Sequence, residues 1–218
     1  MKKWILLFLI FLAVIATPVL LAPEKKPSLI LQAVGILLSS IIAVTAIWGE
    51  HIRGSFAGPK LDLCLRNDKG DLTCVTNGAA VRYYHLRVLN RRSASIARNT
   101  RVQIITLQRE EKGTWTPKQE TYGVEPQWVF SDSSPKNIAY DALCDIVSVY
   151  ESGDCWISSY IRPNNVDLLI KAGKKVRIEA VAVAENGKSN VLTLEIFWDG
   201  SWSKDDNEMK GHLKIKEL

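Results

Sequence analysis

Two long uncharged apolar runs precede a longer stretch in which apolar and polar residues alternate. The runs cover residues 4–22 and 28–48, and residues 23–27 between them hold two prolines and three charges. As helices rising about 1.5 Å per residue, the runs would be about 28 and about 31 Å long, which matches a hydrocarbon core of about 30 Å. The pattern therefore predicts a transmembrane helical hairpin over residues 1–48, with its turn at the prolines.

Tryptophans mark the two outer ends of this predicted hairpin. Trp4 opens the first run and Trp48 closes the second, so both indoles would anchor at one membrane interface, where aromatic residues are enriched. The alternative for the first run is a cleaved export signal, which begins in the same way but has an apolar region of only about 7 to 15 residues. The second run would remain as an anchor in either case. We therefore expect the lipid bilayer as a partner and an integral position in a bacterial inner membrane.

The basic residues that flank the runs bear on orientation. Lys2, Lys3 and the terminal amine place the N-terminus in the cytoplasm, whereas Lys25 and Lys26 in the turn argue for the reverse. Three positive groups against two favour a cytoplasmic over a periplasmic position for the soluble remainder of the chain. Orientation in turn decides whether the cysteines meet an oxidising compartment.

The four cysteines form two pairs that are spaced alike. Cys64 and Cys74 flank the turn signal at residues 67–70, and Cys144 and Cys155 flank a similar one at residues 151–154. Each pair could form a disulfide across two strands if the domain lies in an oxidising compartment. The alternative is four free thiols in a reduced core, where cysteine is a common small apolar residue. No CxxC motif or Cys/His cluster has zinc-ligand spacing, so we expect no metal.

Alternation of period two dominates after a glycine-containing linker at residues 49–60. The Asn186-Gly187 dipeptide lies between two alternating segments and is a strong hairpin signal. We therefore predict an all-β fold over residues 61–218, an antiparallel β-sandwich of about seven to nine strands rather than a closed barrel. The positions predicted to share an inward face are Tyr84, Leu86 and Val88; Thr100, Val102, Ile104 and Thr106; Val176, Ile178, Ala180 and Ala182; Leu192, Leu194, Ile196 and Trp198; and Leu213 and Ile215.

One short segment resembles a known family. The run from Tyr84 to Asn90, followed by Ala97-Arg98-Asn99-Thr100-Arg101-Val102, is similar to the strand, loop and Ala-x-Asn-x-x-Val strand of bacterial immunoglobulin-like domains of the CARDB type. The resemblance covers about twenty-five residues and implies a sandwich in which the Asn caps a turn. Arg91 and Arg92 stand where that family usually has a glycine. Such domains are mostly adhesive or spacing modules, so the resemblance implies little about a ligand.

Charge excludes one class of partner and suggests another. The first 54 residues hold five of the 28 basic and two of the 23 acidic residues, which leaves 23 basic against 21 acidic residues. A domain this close to neutral lacks the basic excess of a nucleic-acid binder. Residues 72–109 contain seven arginines and no lysine or acid. Arg91, Arg92 and Arg98 are thus candidate contacts for a phosphate group, an anionic lipid or an acidic protein partner. The alternative is that these arginines pair with carboxylates such as Glu179 or Glu195.

The C-terminal tryptophans and the histidines give no sign of catalysis. We expect Trp198 to end a core strand, Asp199-Gly200 to turn, and Trp202 to cover the sandwich edge, rather than a binding platform or a calcium loop. No nucleophile motif accompanies any of the three histidines. We therefore expect neither an enzyme nor a cofactor.

The function predicted from these features is a membrane-anchored interaction or scaffolding module. The alternative is a ligand-gated effector, similar in architecture to small antiphage receptors that join two membrane helices to a cytoplasmic β-barrel sensing cyclic nucleotides. An arginine-lined cavity would favour the effector, and a filled sandwich core would favour the scaffold.

Overall fold

The computed structural model describes residues 34–43, 58–75, 78–93, 95–130 and 135–218. The described chain is mostly β, with fourteen strands and two short helices. Helix α1 covers residues 34–43, and α2 is Asp206–His212. The strands are β1 Leu61–Leu65, β2 Asp71–Cys74, β3 Ala80–Asn90, β4 Ala97–Glu111, β5 Thr114–Trp115, β6 Gln119–Val124, β7 Lys136–Ile138, β8 Asp141–Tyr150, β9 Cys155–Ile157, β10 Leu169–Ile170, β11 Lys174–Ala184, β12 Gly187–Lys188, β13 Leu192–Trp198 and β14 Leu213–Glu217.

The strands form two antiparallel sheets. The first sheet has the order β1-β3-β8-β9-β10, and β2 also pairs with β3. The second sheet has the order β14-β13-β11-β4-β5, with β12 on β11 and with β6 and β7 on β4. All strands lie within one unit, Ala57–Leu218, whereas α1 belongs to a separate unit.

One continuous apolar core receives side chains from both sheets. Tyr84, Leu86 and Val88 of β3 are fully buried in it, as are the alternate residues from Val176 to Ala182 of β11 and from Leu194 to Trp198 of β13. These are the inward faces that the alternation predicts, so the β-rich character and the faces of these strands are confirmed. Every second residue packs inward because successive Cβ atoms of a strand point to opposite faces.

Strand β4 departs from simple alternation. Val102 and Ile104 are buried as predicted, but the next core residue is Leu107 rather than Thr106. The register against β11 shifts at this point, which shows a β-bulge that adds one residue to β4. The extra residue moves Thr106 off the core face, where its hydroxyl donates to Glu179.

The predicted transmembrane hairpin and the strand number require correction. Among the described residues no helix is long and apolar enough to cross a membrane. On this finding the predicted hairpin and the predicted inner-membrane location are wrong.

The described strands also number fourteen rather than seven to nine, because bulges and breaks divide the long edges into short pieces. Residues 4–22, including Trp4, lie outside the described residues, as does Trp48.

The turn signal at residues 67–70 does not make a hairpin. Strands β1 and β2 do not pair with each other; both run antiparallel to β3, β1 along its C-terminal half and β2 along its N-terminal half. They are therefore one edge strand interrupted by an excursion. Asn67 Oδ1 closes this excursion by accepting hydrogen bonds from the backbone amides of Lys69 and Gly70, at 3.1 and 3.0 Å.

This topology keeps the cysteines apart, and all four are free thiols. Cys64 lies beside Arg87 and Cys74 beside Ala80, seven positions along β3, or roughly 24 Å. Cys155 lies opposite Val149, five positions from Cys144 along β8, or roughly 17 Å. A disulfide needs Cα atoms within about 7 Å, so neither predicted pair can form without rearrangement.

The C-terminal tryptophans lie as predicted. Trp198 is fully buried at the end of β13, Gly200 turns the chain with a φ of 100°, and Trp202 packs against the core edge. Helix α2 follows and was not predicted. The sequence signal for this helix is Asp205, whose side chain accepts hydrogen bonds from the backbone amides of Asn207 and Glu208 and so caps the first turn.

Candidate functional site

The arginine-rich stretch is largely neutralised within the domain. Of its seven guanidinium groups, six bond to carboxylates or carbonyls of the described chain, which is the alternative that the sequence left open. Glu179 and Glu195 are not the partners, since they pair with Lys118 and Arg177. The observed partners are Asp206 for Arg82, Asp141 for Arg87, Asp62 for Arg91, the Gly58 carbonyl for Arg92, Glu125 for Arg101 and Asp167 for Arg109.

Arg98 is the exception among the seven. Its side chain is exposed and makes no hydrogen bond or ion pair with any residue that the structure describes. The three predicted anion contacts therefore do not form one basic cluster. Arg91 binds Asp62 through Nε and Nη2, at 3.0 and 2.5 Å, and Arg92 donates to the backbone, which leaves Arg98 as the free guanidinium.

A β-bulge at the start of β4 presents Arg98. Ala97 and Thr100 are both fully buried, so the two residues between them both point outward. The register against β7 shifts between Ala97 and Thr100, as a bulge requires. Asn99 has a φ of 48°, a left-handed conformation that asparagine tolerates better than most residues. The bulge thus aims Arg98 and Asn99 away from the core side by side.

Side chains from β7 and from the turn between β11 and β12 hold this bulge in place. Asparagine supplies most of the contacts, because its amide donates and accepts at once. The bonds are Arg98 N to Asn186 Oδ1 at 3.1 Å, Asn186 Nδ2 to the Ile96 carbonyl at 2.9 Å, Glu185 N to the Arg98 carbonyl at 3.0 Å, Asn99 N to Asn137 Oδ1 at 2.9 Å and Asn99 Nδ2 to Glu185 Oε1 at 2.5 Å.

A groove of about 420 Å³ lies next to the bulge, on the outer face of the second sheet. We call it the β4–β11 groove. It combines a guanidinium, two side-chain amides, a carboxylate and exposed apolar carbon. Arg101 in its wall pairs with Glu125 at 3.3 Å, and Val183 is 37% exposed. The lining residues are Asn99, Arg101, Gln103, Pro135, Val183, Ala184 and Glu185.

The chemistry of the groove is that of hydrogen bonding and apolar contact. Its carboxylate, Glu185, is bonded to Asn99, and none of the described residues that line it carries a nucleophilic side chain. Over the part of the chain that the structure describes, no group of three His, Cys, Asp or Glu residues could hold a metal ion. Burial raises the pKa of the Cys144 and Cys155 thiols well above their ordinary value, so these thiols are poor nucleophiles.

Sequence reasoning found Arg98, which lies on the bulge beside the groove, but missed the groove itself. Asn99, Gln103, Val183 and Glu185 carry no motif. The signal that was available is the phase of β4: Ala97 and Thr100 both suit the core face, yet they are three residues apart, which an unbroken strand does not allow.

Comparison with known proteins adds no relative: no family model matches this chain, and no curated protein has a significantly similar sequence.

Proposed function

We propose that this chain is a non-enzymatic interaction module, with an immunoglobulin-like sandwich, that binds an extended acidic segment of a partner protein in the β4–β11 groove. The observation that carries this proposal is Arg98. Six neighbouring arginines are bonded within the described chain, whereas Arg98 is held outward by a locked bulge with its guanidinium available. A rigid backbone that presents one unpaired guanidinium is suited to binding a carboxylate of the partner.

The groove favours a polypeptide over a small phosphate-bearing ligand. Val183 and Pro135 offer apolar contact, and the Gln103 amide can pair with a peptide backbone. A phosphate site would be expected to gather several guanidinium groups, but Arg91 and Arg101 are committed to carboxylates. The nucleotide-sensing alternative therefore has no observation in its favour.

Extended segments suit this surface for an energetic reason. The bulge is fixed by side-chain amides on both sides, so little ordering of the protein accompanies binding. The binding free energy would come from one charge-assisted hydrogen bond between Arg98 and the peptide and from a small buried apolar area. We accordingly expect micromolar rather than nanomolar binding of a short peptide, about −8 kcal/mol.

Selection from a displayed library of random decapeptides, with the purified full-length chain as bait, tests this proposal. We expect enrichment of Asp and Glu beside an apolar residue, and loss of that enrichment with Arg98→Glu. Lys214→Glu is the matched control, since Lys214 is an exposed base on β14 and should leave the selection unchanged.

Two results would contradict the proposal. One is the same selected sequences with Arg98→Glu as with the wild-type chain. The other is displacement of the peptides by inorganic phosphate or a cyclic dinucleotide at concentrations far below those at which sodium chloride acts, which would favour the phosphate-sensing alternative.

A further inference from the structure

A nearly buried histidine lies between two carboxylates on the outer face of the first sheet. His85 on β3 is 5% exposed. Its Nδ1 is 2.8 Å from Asp145 Oδ1 on β8, and its Nε2 is 3.1 Å from Asp71 Oδ2 on β2. Arg66 binds the same Asp71 oxygen at 2.5 Å. We call these four residues the His85 cluster.

The hydrogen bonding of the His85 cluster needs a proton on both ring nitrogens. An ionised carboxylate only accepts, so each nitrogen of His85 must donate. Only the imidazolium form has two donors, whereas the neutral ring has one donor and one lone pair. In the neutral form one of the two carboxylates therefore faces a lone pair, and that contact becomes repulsive.

In the neutral form of His85, the hydrogen bond that is lost is the one to Asp71. Asp145 is closer to the ring and only 16% exposed, so losing its donor would cost more. Asp71 is 51% exposed and retains Arg66 as a partner. The remaining proton therefore stays on Nδ1, and the lone pair of Nε2 faces Asp71.

Beyond its backbone ladder with β3, the strand that carries Asp71 has no buried residue to hold it. β2 is four residues long, all of them exposed, and it lies at the edge of the first sheet. The neighbouring edge strand β1 is better protected, because Asn190 Oδ1 and Glu217 Oε1 accept the amides of Leu63 and Leu65 at 3.3 and 2.5 Å.

We propose that His85 is a proton-operated latch for the edge strand β2: the protonated ring holds Asp71 and keeps β2 on β3, and the neutral ring releases it. Histidine is the side chain that ordinarily changes charge between about pH 5 and about pH 8. Release at higher pH would expose the edge of β3 to another extended chain.

Other groups near the ring do not interfere in this range. Tyr83 lies on the same face, next to Tyr150 and Asp145; burial, followed by the charges of these neighbours, raises its pKa to about 12, so its hydroxyl stays protonated. Arg87 and Asp141 further along the face form their own ion pair at 2.7 Å.

Amide hydrogen exchange of the full-length chain at about pH 5 and about pH 8 tests the latch, after correction for the intrinsic pH dependence of exchange. We expect protection of the Leu72 and Cys74 region to fall about tenfold at the higher pH, while β11 amides keep theirs. His85→Gln should abolish the difference, because glutamine has no charge to lose. His212→Gln is the matched control: His212 has a single carboxylate partner, Asp199 at 2.8 Å, and should leave β2 unchanged.

Asp71→Asn keeps the proposal testable if His85→Gln fails to fold. Its amide can donate to the neutral ring, so protection of β2 should no longer fall as the pH rises. Equal protection of β2 at both pH values in the wild-type chain would overturn the latch. So would an unchanged pH difference in either His85→Gln or Asp71→Asn, which would assign it to another titratable group.

Discussion

Arg82 Nη1 lies 2.7 Å from Asp206 Oδ1, and this ion pair joins a fully buried guanidinium to a carboxylate that is 55% exposed. The same guanidinium donates to the backbone carbonyls of Lys69 and Lys204, at 3.0 and 2.9 Å. A single side chain on β3 therefore holds the excursion after β1, the loop before α2 and the first turn of α2. These segments are remote in sequence, and the ion pair of Asp68 with Lys210, at 2.5 Å, also joins the excursion to α2.

Removal of this buried arginine should be costly. Arg82→Ala leaves two carbonyls without their donor and opens a cavity, and we expect a loss of about 3 kcal/mol or more in the free energy of unfolding. Urea denaturation measures it. Arg87→Ala on the same strand is the control, since its pair with Asp141 is about half exposed and should contribute below about 1 kcal/mol. Equal losses in both variants would contradict the role of Arg82.

Gly70 should not tolerate a side chain. Its φ is 68°, and an added Cβ would lie 2.9 Å from the Tyr83 carbonyl oxygen. Gly70→Ala thus combines backbone strain of about 1 to 2 kcal/mol with a clash of similar size. Gly113→Ala separates the two effects, because Gly113 has a φ of 80° but open space around it. In thermal unfolding, the Tm of Gly70→Ala should be lower than that of Gly113→Ala. The reverse order would contradict the close contact between Gly70 and Tyr83.

The thiols should divide into two classes. Cys74 is exposed and Cys64 is partly exposed, whereas Cys144 and Cys155 are buried with a raised pKa. A thiol-reactive chromophore should therefore modify Cys74 fast and Cys64 more slowly, since burial and then the nearby acids raise its pKa. The other two should react only in denaturant. The total number of thiols modified in denaturant should be the same with and without prior reduction. An increase after reduction would indicate a disulfide.

The Lys118–Glu179 pair should contribute to acid sensitivity. The hydrogen bond from Lys118, and then that from Thr106, hold the pKa of Glu179 below its usual range. Unfolded glutamate protonates near pH 4.3, so the stabilisation is complete above about that pH and is lost as pH falls through the lower folded value. Lys118→Met should flatten the fall in unfolding free energy between about pH 5 and about pH 3, by less than about 1 kcal/mol because the lysine is exposed. Lys214→Met should retain the wild-type slope.

Local sequence pattern determined much of the β fold. The inward faces of β3, β11 and β13, the Asn186-Gly187 hairpin and the position of Trp198 all follow from period-two alternation and turn chemistry, which depend on near neighbours in the chain. The same reasoning failed at the helix and the edges. Helix α2 is too short to show periodicity, and residues 67–70 carry a hairpin signal but serve as an excursion between two halves of one edge.

The sequence by itself determined that residues 61–218 alternate as strands, and it identified Arg98 among the residues able to meet an anion. Only the tertiary structure decided that Arg98 is the arginine without a partner in the described chain. That outcome depends on where six carboxylate or carbonyl groups lie, all of them more than twenty residues from the arginine they bind. It also decided that the cysteines stay apart and that His85 lies between two acids. Pairing across strands is set by register and bulges, which arise from packing of the whole sheet and not from spacing along the chain.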